Sequence, residues 1–161
     1  MAEVQGIKTR EATNLDCERV REIVFGILKE YGLSPDPEGI DRDLEDIEES
    51  YLRRGGAFDV LVDEKGAIVG TVGLYPINNS TVELRKMYFL KEIRGKGLGK
   101  EMLARMVERA RDLGFERITL ETASVLKEAI GLYTSFGFTD QQGIHADRCD
   151  RSFYLELRGE V

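Results

Sequence analysis

Tryptophan is absent from this 161-residue chain, and histidine occurs once, as His145. A single histidine leaves a His-based triad only one centre, and without a CxxC pair it argues against a structural zinc site, so no metal is expected. Cysteine is nearly as scarce: Cys17 and Cys149 lie far apart and read as free thiols. Long apolar runs are missing too, and the existing ones are too short to cross a bilayer. Residues 1–6 lack the basic patch and apolar core of a secretory signal. The expectation is a cytoplasmic protein with no membrane partner. Positive charge is in deficit, with 23 Lys plus Arg against 30 Asp plus Glu and a formal charge of −7. An acidic surface repels phosphates and disfavours nucleic acid as a partner, while it is compatible with a cationic or amine substrate.

What is present describes an ordinary folded domain. Hydrophobic residues make up 42% and charged residues 33%, which fits a single domain over 1–161. Residues 4–10 read as a first strand. Thr13-x-x-Asp16 has the form of a capping box, after which Val20, Ile23, Val24, Ile27, Leu28 and Tyr31 recur at helical spacing up to Gly32. A second helix is expected over 38–53, its acidic residues 41–49 reading as a solvated face and, without conflict, as a means of gathering a cationic acceptor. Phe58–Val62 and Ile68–Tyr75 read as a hairpin around Asp63-Glu64-Lys65-Gly66.

The next strand, Thr81–Leu90, changes phase. Val82 and Leu84 share one face, whereas Met87 and Phe89 belong to the other. One extra residue produces such a slip, so a β-bulge is expected near Arg85-Lys86. A periodic helix over 98–113 ends at Gly114. A strand at 118–122 follows, then a helix capped by Ser124 and closed by Gly137, and a last strand over 151–157. The order β-α-α-β-β-β-α-β-α-β predicts an α/β fold with a mixed sheet.

Between the phase-slipped strand and the periodic helix lies Arg94-Gly95-Lys96-Gly97-Leu98-Gly99-Lys100. Glycines let the backbone turn tightly with its N–H groups exposed, the helix start adds unpaired donors and a partial positive charge, and Arg94, Lys96 and Lys100 add full charges. The segment reads as an anion site suited to a pyrophosphate. It lacks both the GxxxxGK[ST] and GxGxxG patterns. By itself it indicates an anion site and no more, and a helix start with convenient glycines reads the same way.

Three blocks in order carry a family resemblance. They are Glu83-Leu84-Arg85-Lys86-Met87-Tyr88-Phe89, then Arg94-x-x-Gly97-x-Gly99, then Ala129-Ile130-x-Leu132-Tyr133-x-x-x-Gly137-Phe138. From Glu83 to Phe138 the chain resembles the GCN5-related N-acetyltransferase (GNAT) superfamily. The resemblance implies a GNAT-like acyl-CoA N-acyltransferase fold, with a bulged central strand and a V-shaped splay beside it. It implies acetyl-CoA as donor, an amine as acceptor, and direct transfer without an acyl-enzyme. Homodimers are common in that family. Main-chain groups of Met87 and Phe89 would pair with the pantetheine arm, and amides from Gly95 through Leu98 and Gly99 to Lys100 would hold the pyrophosphate. One position departs from the family pattern: many members carry Asn where this chain has Leu126.

The resemblance casts Tyr133 as general acid and as a cofactor contact, although its apolar neighbours also suit a core residue. Glu83, just before the bulge, is the candidate base acting through water, and equally reads as a solvated strand residue. Glu121 is held in reserve because its phase opposes Ile118 and Leu120. The N–H of Phe89 is a candidate oxyanion donor. His145, in a polar loop, reads as idle, and Cys149 beside Arg148 lacks the base that nucleophilic catalysis requires. Transfer of another acyl group, a non-catalytic CoA-binding regulatory module, and a phosphate- or nucleotide-binding domain sharing only the turn remain as alternatives. The acceptor itself is not written in any motif.

Overall fold

The structure is a computed structural model that describes residues 3–4, 6–141 and 148–157. Its strands are β1 (Glu3–Val4), β2 (Ile7–Glu11), β3 (Ala57–Val62), β4 (Ile68–Pro76), β5 (Thr81–Phe89), β6 (Arg117–Thr122), β7 (Thr139–Gln141) and β8 (Arg151–Glu156). The helices are α1 (Cys17–Glu30), α2 (Leu98–Asp112) and α3 (Lys127–Phe136). The strands form one mixed sheet in the order β1-β2-β3-β4-β5-β6-β8-β7. Among the described residues only β5 and β6 run parallel; the other pairs are antiparallel.

The apolar spacing of each helix decides what it covers. Val20, Ile23, Val24, Ile27 and Leu28 of α1 are buried with Phe58, Val60 and Ile68. Leu103, Met106, Val107 and Ala110 of α2 are buried with Val82, Ile118, Leu120, Tyr133 and Phe153. Among the described residues no helix is long and apolar enough to cross a membrane.

The expected helix over 38–53 does not form. Arg42–Glu45 makes a 3₁₀ turn and Glu48–Leu52 a π-helical turn. The segment winds around side chains that go inward, so Leu44, Ile47 and Tyr51 are buried and Asp41 and Asp43 are buried with them. An all-solvated acidic face is thus corrected. Thr13 and Asp16 do form the capping box, but around a 3₁₀ turn, Asn14–Asp16, that leads into α1. Ser124 is not the cap of α3; Leu126 is. The Ser124 N–H and hydroxyl instead donate to the Asp150 carboxylate, both at 2.7 Å. The first strand is divided at Gly6 into β1 and β2, and the short β7 was not foreseen.

The bulge forms where the phase slip puts it. The β4–β5 register passes from Thr71↔Tyr88 to Gly73↔Arg85, and Lys86 has φ of 57°. Beyond it β5 turns away from β6. The parallel pairing covers only Thr81, Val82 and Glu83 against Arg117, Ile118 and Thr119, although both strands continue. The resulting gap is the V-shaped splay.

Candidate active site

The splay opens into a cleft of about 1050 Å³. Gly95, Gly97, Leu98 and Gly99 border it on one side, Met87 and Phe89 run along it, Leu132 and Tyr133 form a wall, and Glu83, Arg85, Lys86 and Glu121 stand at the far end.

The turn has the conformation its glycines permit. Gly95 and Gly97 have φ of 76° and 83°, and a Cβ on either would meet no atom within 4 Å. The glycines therefore serve backbone conformation and leave the adjacent space clear. Gly97 is the N-cap of α2, and the Glu101 N–H donates to its carbonyl at 3.2 Å. The N–H groups of Leu98, Gly99 and Lys100 precede that ladder and lie at the positive end of the helix. Gly99 has a different reason: a Cβ there would sit 3.1 Å from Leu132 of α3. Lys96 and Lys100 are exposed and do not line the cleft. The Arg94 guanidinium is engaged elsewhere. It donates to Glu30 at 2.7 and 2.9 Å and, through Nε, to the Phe89 carbonyl at 2.8 Å. Arg94 thus fastens the turn to α1 and to the end of β5.

The β5 edge faces the cleft because of register. The Leu90 N–H donates to the Val69 carbonyl at 2.9 Å. Successive residues in an antiparallel ladder send their main-chain groups to opposite edges. Those of Met87 and Phe89 therefore point away from β4, into the gap that β6 has left. The Phe89 side chain lies against Gly70, where a Cβ would come within 2.9 Å of the ring.

Tyr133 is buried in the cleft wall, with Phe138 and Phe153 at ring-centroid distances of 5.9 and 6.2 Å. The core and cleft readings of this residue are therefore compatible. Burial, with a smaller contribution from the nearby Tyr88, raises its phenol well above the ordinary value, so it holds its proton at neutral pH. Burial likewise pushes Tyr88 up to about 12.

Glu83 is mostly covered and ion-paired through Arg85 Nε. It is not the freely solvated strand residue that was the competing reading. Glu121 borders the same cleft, on the face its phase predicts. Cys149 also lines the cleft, and its thiol is pushed up to about 11 because burial outweighs the opposing effect of Arg148. An ordinary thiol raised this far is a poor nucleophile. His145 lies outside the described residues.

A buried charge network at the far end of the cleft escaped sequence reasoning. The Arg148 guanidinium donates to both oxygens of Asp41, each at 2.7 Å. Lys86 Nζ lies 3.1 Å from Asp41 and 3.3 Å from Asp43. The Tyr51 hydroxyl donates to Asp43, and the Arg85 guanidinium lies 3.7 Å from the Tyr75 ring centroid. Burial pushes the Asp41 carboxyl up, but Arg148 and Lys86 more than offset this and hold it at about 2. Only the lysine at the bulge hinted at the network, since its partners are distant in sequence.

The acetyltransferase (GNAT) family model matches residues 22–138. An Escherichia coli K12 protein named uncharacterized N-acetyltransferase YjgM is 40% identical over 134 residues, 80% of each chain. An acetyltransferase of the GNAT family from Staphylococcus aureus Mu50 superposes with a TM-score of 0.88 at 27% identity, covering 94% of this chain and 99% of that one. The yncA protein of Salmonella typhimurium, solved with acetyl-CoA, has the same fold, with a TM-score of 0.76 at 22% identity over 98% of this chain and 97% of that one.

Proposed function

The chain belongs to the acetyltransferase (GNAT) family and is an acetyl-CoA-dependent N-acyltransferase, and from that premise we propose how its cleft carries out the transfer. The observation that carries the reading is the continuity of the cleft. The open edge of β5 leads from the positive-φ turn at Gly95–Gly97 to Tyr133 and on to Glu83.

The pyrophosphate of the donor fits the N–H groups at the start of α2, where no Cβ from Gly95 or Gly97 intrudes. The pantetheine arm lies along β5 as an added strand, using the main-chain groups of Met87 and Phe89. The thioester then falls near Tyr133, at the bulge end of that edge. Presence of acetyl-CoA in the yncA structure supports this donor.

The acceptor attacks as a neutral amine. Its nitrogen bonds to the carbonyl carbon, the carbon–sulfur bond breaks, and the amine proton leaves toward Glu83 through water. Tyr133 donates a proton to the departing sulfur, giving free CoA and the acetylated amine. A buried phenol gives up its proton uphill, so the placement of Tyr133 matters more than its acidity. Arg85 occupies one Glu83 oxygen, leaving the other for the relay. The formal charge of −7 favours gathering a cationic amine.

The test is release of free CoA across a panel of small-molecule amines, amino acids and peptide amines, with acylated product identified by mass spectrometry. Tight acetyl-CoA binding without CoA release from any acceptor would favour a regulatory CoA-binding module. Preference for a succinyl or other acyl donor would replace the acetyl assignment. Binding of ATP or NAD in place of acetyl-CoA would defeat the whole reading.

A further inference from the structure

Lys86 occupies a position that glycine would fill without steric cost. Its φ of 57° is the only positive value recorded for a residue other than glycine among the described residues. Its side chain nevertheless turns inward and is only 5% exposed. A lysine is rarely buried unless its charge is paired. Here the ammonium donates to the Ile40 carbonyl at 3.1 Å and sits between the carboxylates of Asp41 and Asp43. Both carboxylates have second partners: Arg148 holds Asp41, and Tyr51 and Arg85 hold Asp43. Asp41 also accepts the Asp36 N–H at 2.8 Å. The main chain of Lys86 is fastened separately, since its carbonyl accepts the Thr71 hydroxyl at 2.6 Å.

These contacts meet at one mechanical point. Asp36, Gly39, Ile40, Arg42 and Asp43 wall the acceptor end of the cleft, and Met87 and Phe89, soon after Lys86, present the open edge. A bulge redirects a strand, and its exact shape sets where the following groups aim. Thr71 holds the bulge to β4 alone. The ammonium is the part of Lys86 that holds it to the opposite wall.

We propose that Lys86 is a positioning residue for acyl transfer: its ammonium, seated between Asp41, Asp43 and the Ile40 carbonyl, ties the β5 bulge to the acceptor-side loop and fixes the spacing between donor edge and acceptor wall. The proposal rests on the reading of the cleft as an acyl-CoA site. It assigns Lys86 no contact with the reacting atoms.

The test uses Lys86→Met combined with Asp43→Asn, which removes one buried charge of each sign and keeps the lysine's apolar stem. Misplacement near 1 Å costs on the order of 10²-fold in rate, so kcat is expected to fall roughly 10- to 100-fold. Acetyl-CoA affinity should fall much less than kcat, because the pyrophosphate turn at 94–99 is untouched. Amide hydrogen exchange at Tyr88 and Leu90, whose N–H groups face β4, measured without substrate, should accelerate by about tenfold or more. Asp43→Asn alone removes one partner only and is expected to give an intermediate loss, so it decides the matter if the double variant does not fold. A folded variant with wild-type kcat and wild-type exchange at Tyr88 and Leu90 overturns the proposal. Lower stability with unchanged kcat does so as well, since that is what a purely structural lysine would give. Failure of the wild-type protein to release CoA from any amine sinks the transfer reading instead, and the exchange measurement still reports whether Lys86 holds the bulge.

Discussion

Replacing Tyr133 by phenylalanine separates the hydroxyl of that residue from its ring. The ring packs against Phe138 and Phe153 and belongs to the cluster between the sheet, α2 and α3. Phenylalanine preserves these contacts, so stability should change by no more than about 1 kcal/mol. For a domain of this size that is a shift in Tm of roughly 2–4 °C. The chemistry should respond differently. A positioned acid contributes about 10²- to 10⁴-fold, which corresponds to about 3–5 kcal/mol of transition-state stabilisation. The pyrophosphate and pantetheine contacts are main-chain groups of other elements, so acetyl-CoA affinity should hold within about twofold. Steady-state turnover by CoA release, calorimetric titration with acetyl-CoA and thermal unfolding make the comparison. An unchanged kcat in a stably folded variant would refute the acid role, and Tyr133 would revert to a wall residue. A loss of acetyl-CoA affinity with unchanged kcat would show that the hydroxyl binds the donor and does not act selectively in the transition state.

Other expectations follow from the same geometry. Gly97→Val forces an L side chain to φ of 83°, which should cost about 1–2 kcal/mol in thermal or urea unfolding. It should also weaken acetyl-CoA binding by about tenfold or more through interference at the helix start. Gly131→Ala, in α3 with open space around it, is the control and should stabilise slightly, by up to about 1 kcal/mol. Asp41 has a folded pKa of about 2 against 3.8 for the free group. A depressed carboxyl stabilises above its unfolded value and loses that contribution as pH falls through the folded one. About 2 kcal/mol should therefore disappear between roughly pH 4 and pH 2, and urea unfolding of Asp41→Asn should lack that portion of the acid limb. With its thiol pushed up to about 11, Cys149 should react slowly with iodoacetamide at pH 8 and faster as pH rises. Rapid alkylation at neutral pH would contradict the burial that causes the shift.

The local features of the site were legible because they depend on short-range rules. The phase slip between Leu84 and Met87 located the bulge, since side chains alternate strictly along a strand. Gly95 and Gly97, followed by a helical period, identified a turn feeding a helix start. The opposed phase of Glu121 against Ile118 and Leu120 correctly put it on the cleft face. The roles given to Met87, Phe89, Tyr133 and Glu83 came from resemblance to a family, and remain proposals for mutagenesis.

What failed to be legible was decided at long range. The acidic run at 41–49 reads as a solvated face because aspartate is ordinarily exposed. Asp41 and Asp43 go inward because Lys86 and Arg148 arrive from distant parts of the chain to pair with them, joined by Tyr51 of the same segment. The same holds for Arg94, whose ion pair is made with Glu30 of α1, a residue far away in the sequence. Sequence alone determined most of the regular elements, the bulge and the glycine turn that leads into α2, because hydrophobic period and glycine conformation act within a few residues. Tertiary structure alone decided which charges are paired, which are buried and how β5 parts from β6, because electrostatic pairing and strand divergence depend on groups that meet only when the chain has folded.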